Sequence, residues 1–152
     1  MGRKRDQTKG RSQQQFEYAY LFGAVCIYTG QTEALVMHFS NSEVMKAHLR
    51  LISNATPKGK HAVVIMDRAS WHQSYLAEEF TNLTIIHLPP YSPELNSIEQ
   101  IWQWMRNNEI ANRCFDGYND IVNKCCDAWN HFSEDKNRVI SQCYRDWTNL
   151  ET

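Results

Sequence analysis

Two short apolar runs most constrain this chain. His61-Ala62-Val63-Val64-Ile65-Met66 and Leu83-Thr84-Ile85-Ile86-His87-Leu88 are each about six residues long, and a polar or proline-rich stretch closes each abruptly. Runs of this length are too short for a core helix and far short of the ~20 residues a membrane helix needs. Near-continuous apolar content instead suggests strands buried on both faces and parallel to each other. A short helix over about 71–79 fits the connection, which makes a βαβ unit. Parallel strands collect functional groups beyond their carboxyl ends. Attention therefore falls on Asp67, directly after the first run, and on the loop Pro89 to Asn96 after the second, which holds three of the four prolines.

The flanking patterns fill in the fold. Phe16, Tyr18, Tyr20, Phe22, Ala24, Cys26 and Tyr28 share one parity, which is a period-two strand signal. Thr29-Gly30-Gln31 is a turn, and Thr32 to Phe39 completes an antiparallel hairpin. Ser40 with Glu43 reads as a capping box opening a helix over about 41–53. After the proline loop, Ile98, Ile101, Trp102 and Met105 form the apolar stripe of a helix, with Asn96 as its N-cap and Glu99 at its third position. Two amphipathic helices follow, one around Ile121 to Phe132 and one carrying Val139, Ile140, Cys143, Tyr144 and Trp147. The order ββαβαβααα predicts an α/β fold, a mixed sheet with helices on its faces. Trp102 and Trp129 are expected in the core. Trp104 is expected at an interface or as a DNA-stacking residue.

Composition excludes several classes. The five cysteines include no C-x-x-C pair, and the six histidines no H-E-x-x-H, so neither a disulfide framework nor a zinc site is expected. Free thiols suit a reducing cytoplasm. No secretory h-region follows the basic start, and no membrane partner is expected. Net charge is -1, yet residues 1–11 hold Arg3, Lys4, Arg5, Lys9 and Arg11 against Asp6, a local +4 that leaves the rest at -5. Residues 1–15 read as a basic lead-in arm.

Asp67 and Glu99 are carboxylates delivered by neighbouring strands, with Glu94 nearby. Hard divalent cations take oxygen ligands of this kind, and such a site suits metal-assisted phosphodiester cleavage. A pair of acids also serves a glycosidase. Glu99 has a purely structural alternative as the partner of Asn96 in a capping box, and Asp67 as a helix cap.

Two stretches carry a family resemblance. Asp67-Arg68-Ala69-Ser70-Trp71-His72 and Leu88-Pro89-Pro90-Tyr91-Ser92-Pro93-Glu94-Leu95-Asn96-Ser97-Ile98-Glu99-Gln100-Ile101-Trp102 resemble the catalytic core of DDE transposases, in the bacterial insertion-sequence branch of the mariner-like superfamily. The resemblance implies a ribonuclease-H-like mixed sheet flanked by helices. It makes Asp67 the second catalytic acid and Glu99 the third, both holding Mg²⁺ (or Mn²⁺). It implies DNA as partner, transposon ends and target alike, with a homo-oligomer or a full-length transposase as protein partner. Localisation would be cytoplasmic and bacterial, at the nucleoid when on DNA. Arg68 stands where the family usually has Asn; a cation there would lower the Asp67 pKa and compete with a metal, or would face DNA phosphate. His72, Tyr91 and Ser92 are accessory or DNA-contact candidates.

The family's first aspartate lies on a first, central strand. Asp6 and Glu17 are the only acids before the second hairpin strand, and neither fits that role. The expectation is a core over 16–115 lacking its first strand, with helices over 116–152 packed on it. Function follows as metal-dependent cleavage and strand transfer in DNA transposition, incomplete in this chain. The alternative is a non-catalytic remnant that binds DNA or a full-length transposase.

Overall fold

The computed structural model describes residues 3–7, 16–68, 74–110 and 114–146. Three strands form an antiparallel sheet in the order β1 (Arg3–Gln7), β2 (Phe16–Val25), β3 (Thr32–Met37). Helix α1 (Ser42–Ala55) leads to β4 (Ala62–Met66), and a 3₁₀ segment over Ser74–Glu79 leads to β5 (Leu83–His87). β4 and β5 pair in parallel, Ala62 opposite Leu83 through Met66 opposite His87. Helix α2 (Ile98–Met105) runs into a π-turn at Arg106–Ile110, and α3 (Tyr118–Ser133) and α4 (Lys136–Cys143) complete the described chain. This is a mixed α/β architecture compatible with a ribonuclease-H-like fold.

The hairpin sequence dictates the layers. Successive β2 side chains point to opposite faces. Ala19 and Leu21 are buried against Ile101, Trp102 and Met105 of α2 and against α3 and α4. Phe22 faces the other way, into a second core with Val44, Met45 and Leu49 of α1 and Met66 and Leu83 of the parallel pair. The β2–β3 hairpin is therefore the wall shared by two cores. Gly23 is the point of closest approach on the α2 side. A Cβ there would lie 2.7 Å from ring carbons of both Trp102 and Trp129. These indoles pack at 5.7 Å between centroids and are 7 % and 5 % exposed, in keeping with the core role expected for both.

Several sequence-based expectations need correction. Arg3–Gln7, read as part of an irregular arm, form the edge strand β1, with Asp6 opposite Glu17 in the register. Backbone pairing holds this all-polar strand, so no hydrophobic alternation announced it. The described strands form two separate sheets, not one mixed sheet. β4 and β5 are buried on one face only. Ala62, Val64, Met66, Leu83 and Ile85 face the second core, while Val63 (54 % exposed) and Ile86 (50 %) lie on the open side. The C-terminal helices cover β2–β3 instead, and apolar content in a short run cannot reveal which sheet a later helix chooses.

Smaller differences concern helix ends. The cap of α1 is Asn41, whose side chain accepts a 2.9 Å hydrogen bond from the Val44 N–H, not Ser40. Of the helix expected over about 71–79, residues 71–73 lie outside the described residues and the rest is the 3₁₀ turn Ser74–Glu79. Trp147 lies outside the described residues, and α4 ends at Cys143. Asn82 joins α1 to the start of β5: its Oδ1 accepts from Ser53 Oγ at 2.7 Å and its Nδ2 donates to the Ser53 carbonyl at 3.0 Å. Among the described residues no helix is long and apolar enough to cross a membrane.

Candidate active site

The parallel pair ends in a cavity of about 400 Å³, lined by Asp67 and Arg68 after β4, by Leu88 to Pro93 after β5, and by Asn96 and Glu99 at the start of α2. The two acids singled out by sequence, 32 positions apart, thus open on one space. Three local devices bring them there.

The first is the register of β4 and β5. The ladder continues one bond past the strands, with the Leu88 N–H donating to the Met66 carbonyl at 2.8 Å. Asp67 and Leu88 therefore leave the sheet at the same level. Arg68 reinforces this junction, its Nε donating to the Leu88 carbonyl at 3.4 Å. The guanidinium reaches across the two strand ends and takes part in positioning the loop that follows.

The second device is the proline loop. Pro93–Leu95 form a 3₁₀ turn, and Tyr91 holds φ at 58° with its ring fully exposed. A left-handed tyrosine costs about 1–3 kcal/mol and persists only where its surroundings fix it. Ser92 Oγ donates to the Pro90 carbonyl at 3.3 Å. From the far end of the chain, Arg145 Nε donates to the Glu94 carbonyl at 3.0 Å. Sequence reasoning missed Arg145. It lies 51 residues beyond its partner, and no local pattern marks a side chain that binds a remote carbonyl.

The third is the start of α2. Asn96 has extended backbone, its Oδ1 accepts from the Ile98 N–H at 3.3 Å, and its carbonyl accepts from the Glu99 N–H at 3.1 Å. Asn96 is thus the effective cap and Glu99 sits in the first turn, as the sequence suggested. A capping box would also use the Glu99 carboxylate to accept from the Asn96 N–H. That N–H instead donates to the Pro93 carbonyl at 3.0 Å. The 3₁₀ turn relieves Glu99 of the structural duty that competed with a functional one, and its carboxylate lines the cavity at the positive end of the helix.

The donor set around the cavity suits a hard divalent cation: two carboxylates, with the Asn96 amide and the Ser92 hydroxyl as further oxygens. Among the described residues no group of three or more His, Cys, Asp or Glu side chains is placed to hold a metal. Of the accessory candidates, Arg68, Tyr91 and Ser92 line it, and His72 lies outside the described residues. Glu94 contributes its carbonyl to the Arg145 contact.

Asp67, just past the end of β4, and Glu99, in the first turn of α2, line one cavity in a mixed α/β frame. The profile of the DDE superfamily endonucleases matches residues 2–122, and the chain belongs to that family. The uncharacterized protein y4pE/y4sA of Sinorhizobium fredii (strain NBRC 101917 / NGR234) is 42% identical over 130 residues, covering 86% of this chain and 96% of the relative. No solved structure matches.

Proposed function

We propose that this chain provides the Asp67 and Glu99 ligands of a divalent-metal centre that cleaves and joins DNA strands in the transposition of a bacterial insertion sequence of the mariner-like branch. The observation that carries the reading is the shared cavity of the two acids, with Glu99 released from capping. Membership of the DDE superfamily endonucleases supports a nuclease chemistry and a DNA substrate. Asp67 and Glu99 would hold Mg²⁺ or Mn²⁺, which supplies charge stabilisation and water activation at the phosphodiester when bound. Arg68 takes a DNA phosphate and keeps the β5 loop in register. Tyr91 and Ser92 shape the loop that presents Glu99.

In this reading the centre is incomplete without a third acid. Among the described strands, β4 pairs with β5. A further carboxylate brought beside Asp67, for instance by an intact transposase, would complete the centre. Alone, the chain then acts as a non-catalytic partner that binds DNA or an intact transposase.

Mn²⁺ titration followed by electron paramagnetic resonance tests the acid pair. Binding should weaken at least tenfold in Asp67→Asn and in Glu99→Gln. Unchanged Mn²⁺ affinity in both variants would sink the proposal. Strong Mg²⁺-dependent nicking by the purified chain, abolished by Asp67→Ala, would show that no third acid is needed.

A further inference from the structure

A second groove, of about 280 Å³, runs along α2 beyond Glu99 and is lined by Gln100, Gln103, Trp104, Asn107, Asn108 and Gln142. The first five fall at i, i+3, i+4, i+7 and i+8, one continuous face of the helix and its π-turn extension; Gln142 faces them from α4. A solvent-facing helical face ordinarily carries Lys and Glu. This one carries four amides, an indole and no charge. Amide side chains offer both donors and acceptors, whereas a carboxylate only accepts and an ammonium only donates.

The wall of the groove is fixed in advance. Trp104 packs on Phe132 at 5.1 Å between ring centroids, and the Arg138 guanidinium lies 5.1 Å from the Trp104 centroid on the way to the Phe132 carbonyl. Asn108 Nδ2 donates to the Trp104 carbonyl at 2.9 Å, which orients that amide. The Trp104 ring and the Asn108 amide therefore lose little freedom on binding.

We propose that this groove holds the DNA next to the acid pair through uncharged contacts from the Gln103 and Asn107 amides to base edges, adenine above all. The inference rests on DNA being the substrate of the Asp67–Glu99 site. Three observations point this way. Glu99 and Gln100 are consecutive on α2, so one helix lines both spaces. The amide face extends about 12 Å at 1.5 Å per residue, or roughly three nucleotide steps of 3.4 Å. Asn and Gln match the adenine edge with paired donor and acceptor, and the residues that line the groove carry no charge of their own.

The test uses fluorescence anisotropy without metal, on two labelled duplexes of equal length, one A·T-rich and one G·C-rich, over a range of salt. The wild-type chain should prefer the A·T-rich duplex. The double variant Gln103→Ala/Asn107→Ala should lose about tenfold in affinity for it, while the slope of log affinity against log salt stays the same. Arg68→Ala should instead reduce that slope by about one. Gln103 and Asn107 are exposed, so the double variant should keep its melting temperature, which circular dichroism checks. Unchanged affinity, a reduced salt slope, absence of sequence preference in the wild type, or no DNA binding at all would each overturn the proposal. The Mn²⁺ titration is independent of DNA, so it reports separately whether the acid pair stands.

Discussion

Substituting Gly23 by alanine probes the joint between the fold and the site. The added Cβ would sit 2.7 Å from Trp102 Cη2 and from Trp129 Cη2 and Cζ3, where ordinary carbon contacts lie near 3.5–4.0 Å. One or both indoles must retreat by about 1 Å. Neither has an easy route, because both are buried and each packs on the other. Overpacking of this kind costs about 1–3 kcal/mol, offset by about 0.4–1 kcal/mol from the lower chain entropy of alanine in the unfolded state. Gly23 is not at positive φ, so alanine adds no backbone strain. The net loss is about 1–2 kcal/mol, a fall of about 2–8 °C in Tm for a domain of this size. Trp102 is one turn from Glu99 on α2, so its displacement should also weaken Mn²⁺ binding. Near-UV circular dichroism follows the indoles during thermal unfolding. A Tm equal to or above that of the wild type in Gly23→Ala would refute the account of β2 packing against α2.

The remaining predictions concern the loop and a buried thiol. Arg145→Ala removes the 3.0 Å bond to the Glu94 carbonyl. A net loss of about 1 kcal/mol in loop order should weaken Mn²⁺ binding about fivefold, read by calorimetric titration, with Tm little changed in a circular dichroism melt. Cys143 is fully buried, and burial pushes its thiol up to about 12 from 9.0. Above pH 9 the unfolded thiol loses its proton and the folded one keeps it. The unfolded state then binds fewer protons, so stability falls with pH between about 9 and 12, by up to about 1.4 kcal/mol per pH unit from this group. Urea midpoints at pH 8 and pH 10.5 should converge in Cys143→Ala relative to the wild type; an unchanged difference would show that other groups govern alkaline unfolding.

How much of this was legible in sequence varied with the range of the interactions. The hairpin, the parallel strands and the position of Glu99 are encoded locally, in a period of two, in short apolar runs and in the Asn96 cap, and they appear where the sequence suggests. Longer-range choices were not legible. β1 is held by backbone bonds to β2, which leave no mark on side-chain pattern. The open faces of β4 and β5 depend on helices that begin more than 30 residues later and pack elsewhere. Arg145 acts on a carbonyl, and a carbonyl has no sequence signature. The Glu99 case was more equivocal: the same residues that predicted a capping box also predicted a catalytic acid, and only the course of the Asn96 N–H separates the two.

That separation bears on why the loop is built as it is. A carboxylate in the first turn of a helix is stabilised by the exposed N–H groups there. A bare Asn-x-x-Glu start would let Glu99 fold back onto the cap and away from the space it shares with Asp67. The 3₁₀ turn at Pro93–Leu95 prevents this by supplying the Pro93 carbonyl to the Asn96 N–H. Pro93, with φ pre-set for a 3₁₀ or helical start, begins that turn, and the left-handed Tyr91 redirects the chain into it. The conformational cost at Tyr91 is thus coupled to the freedom of the Glu99 carboxylate. The prolines and the tyrosine, which make no chemistry of their own, set where the acid points.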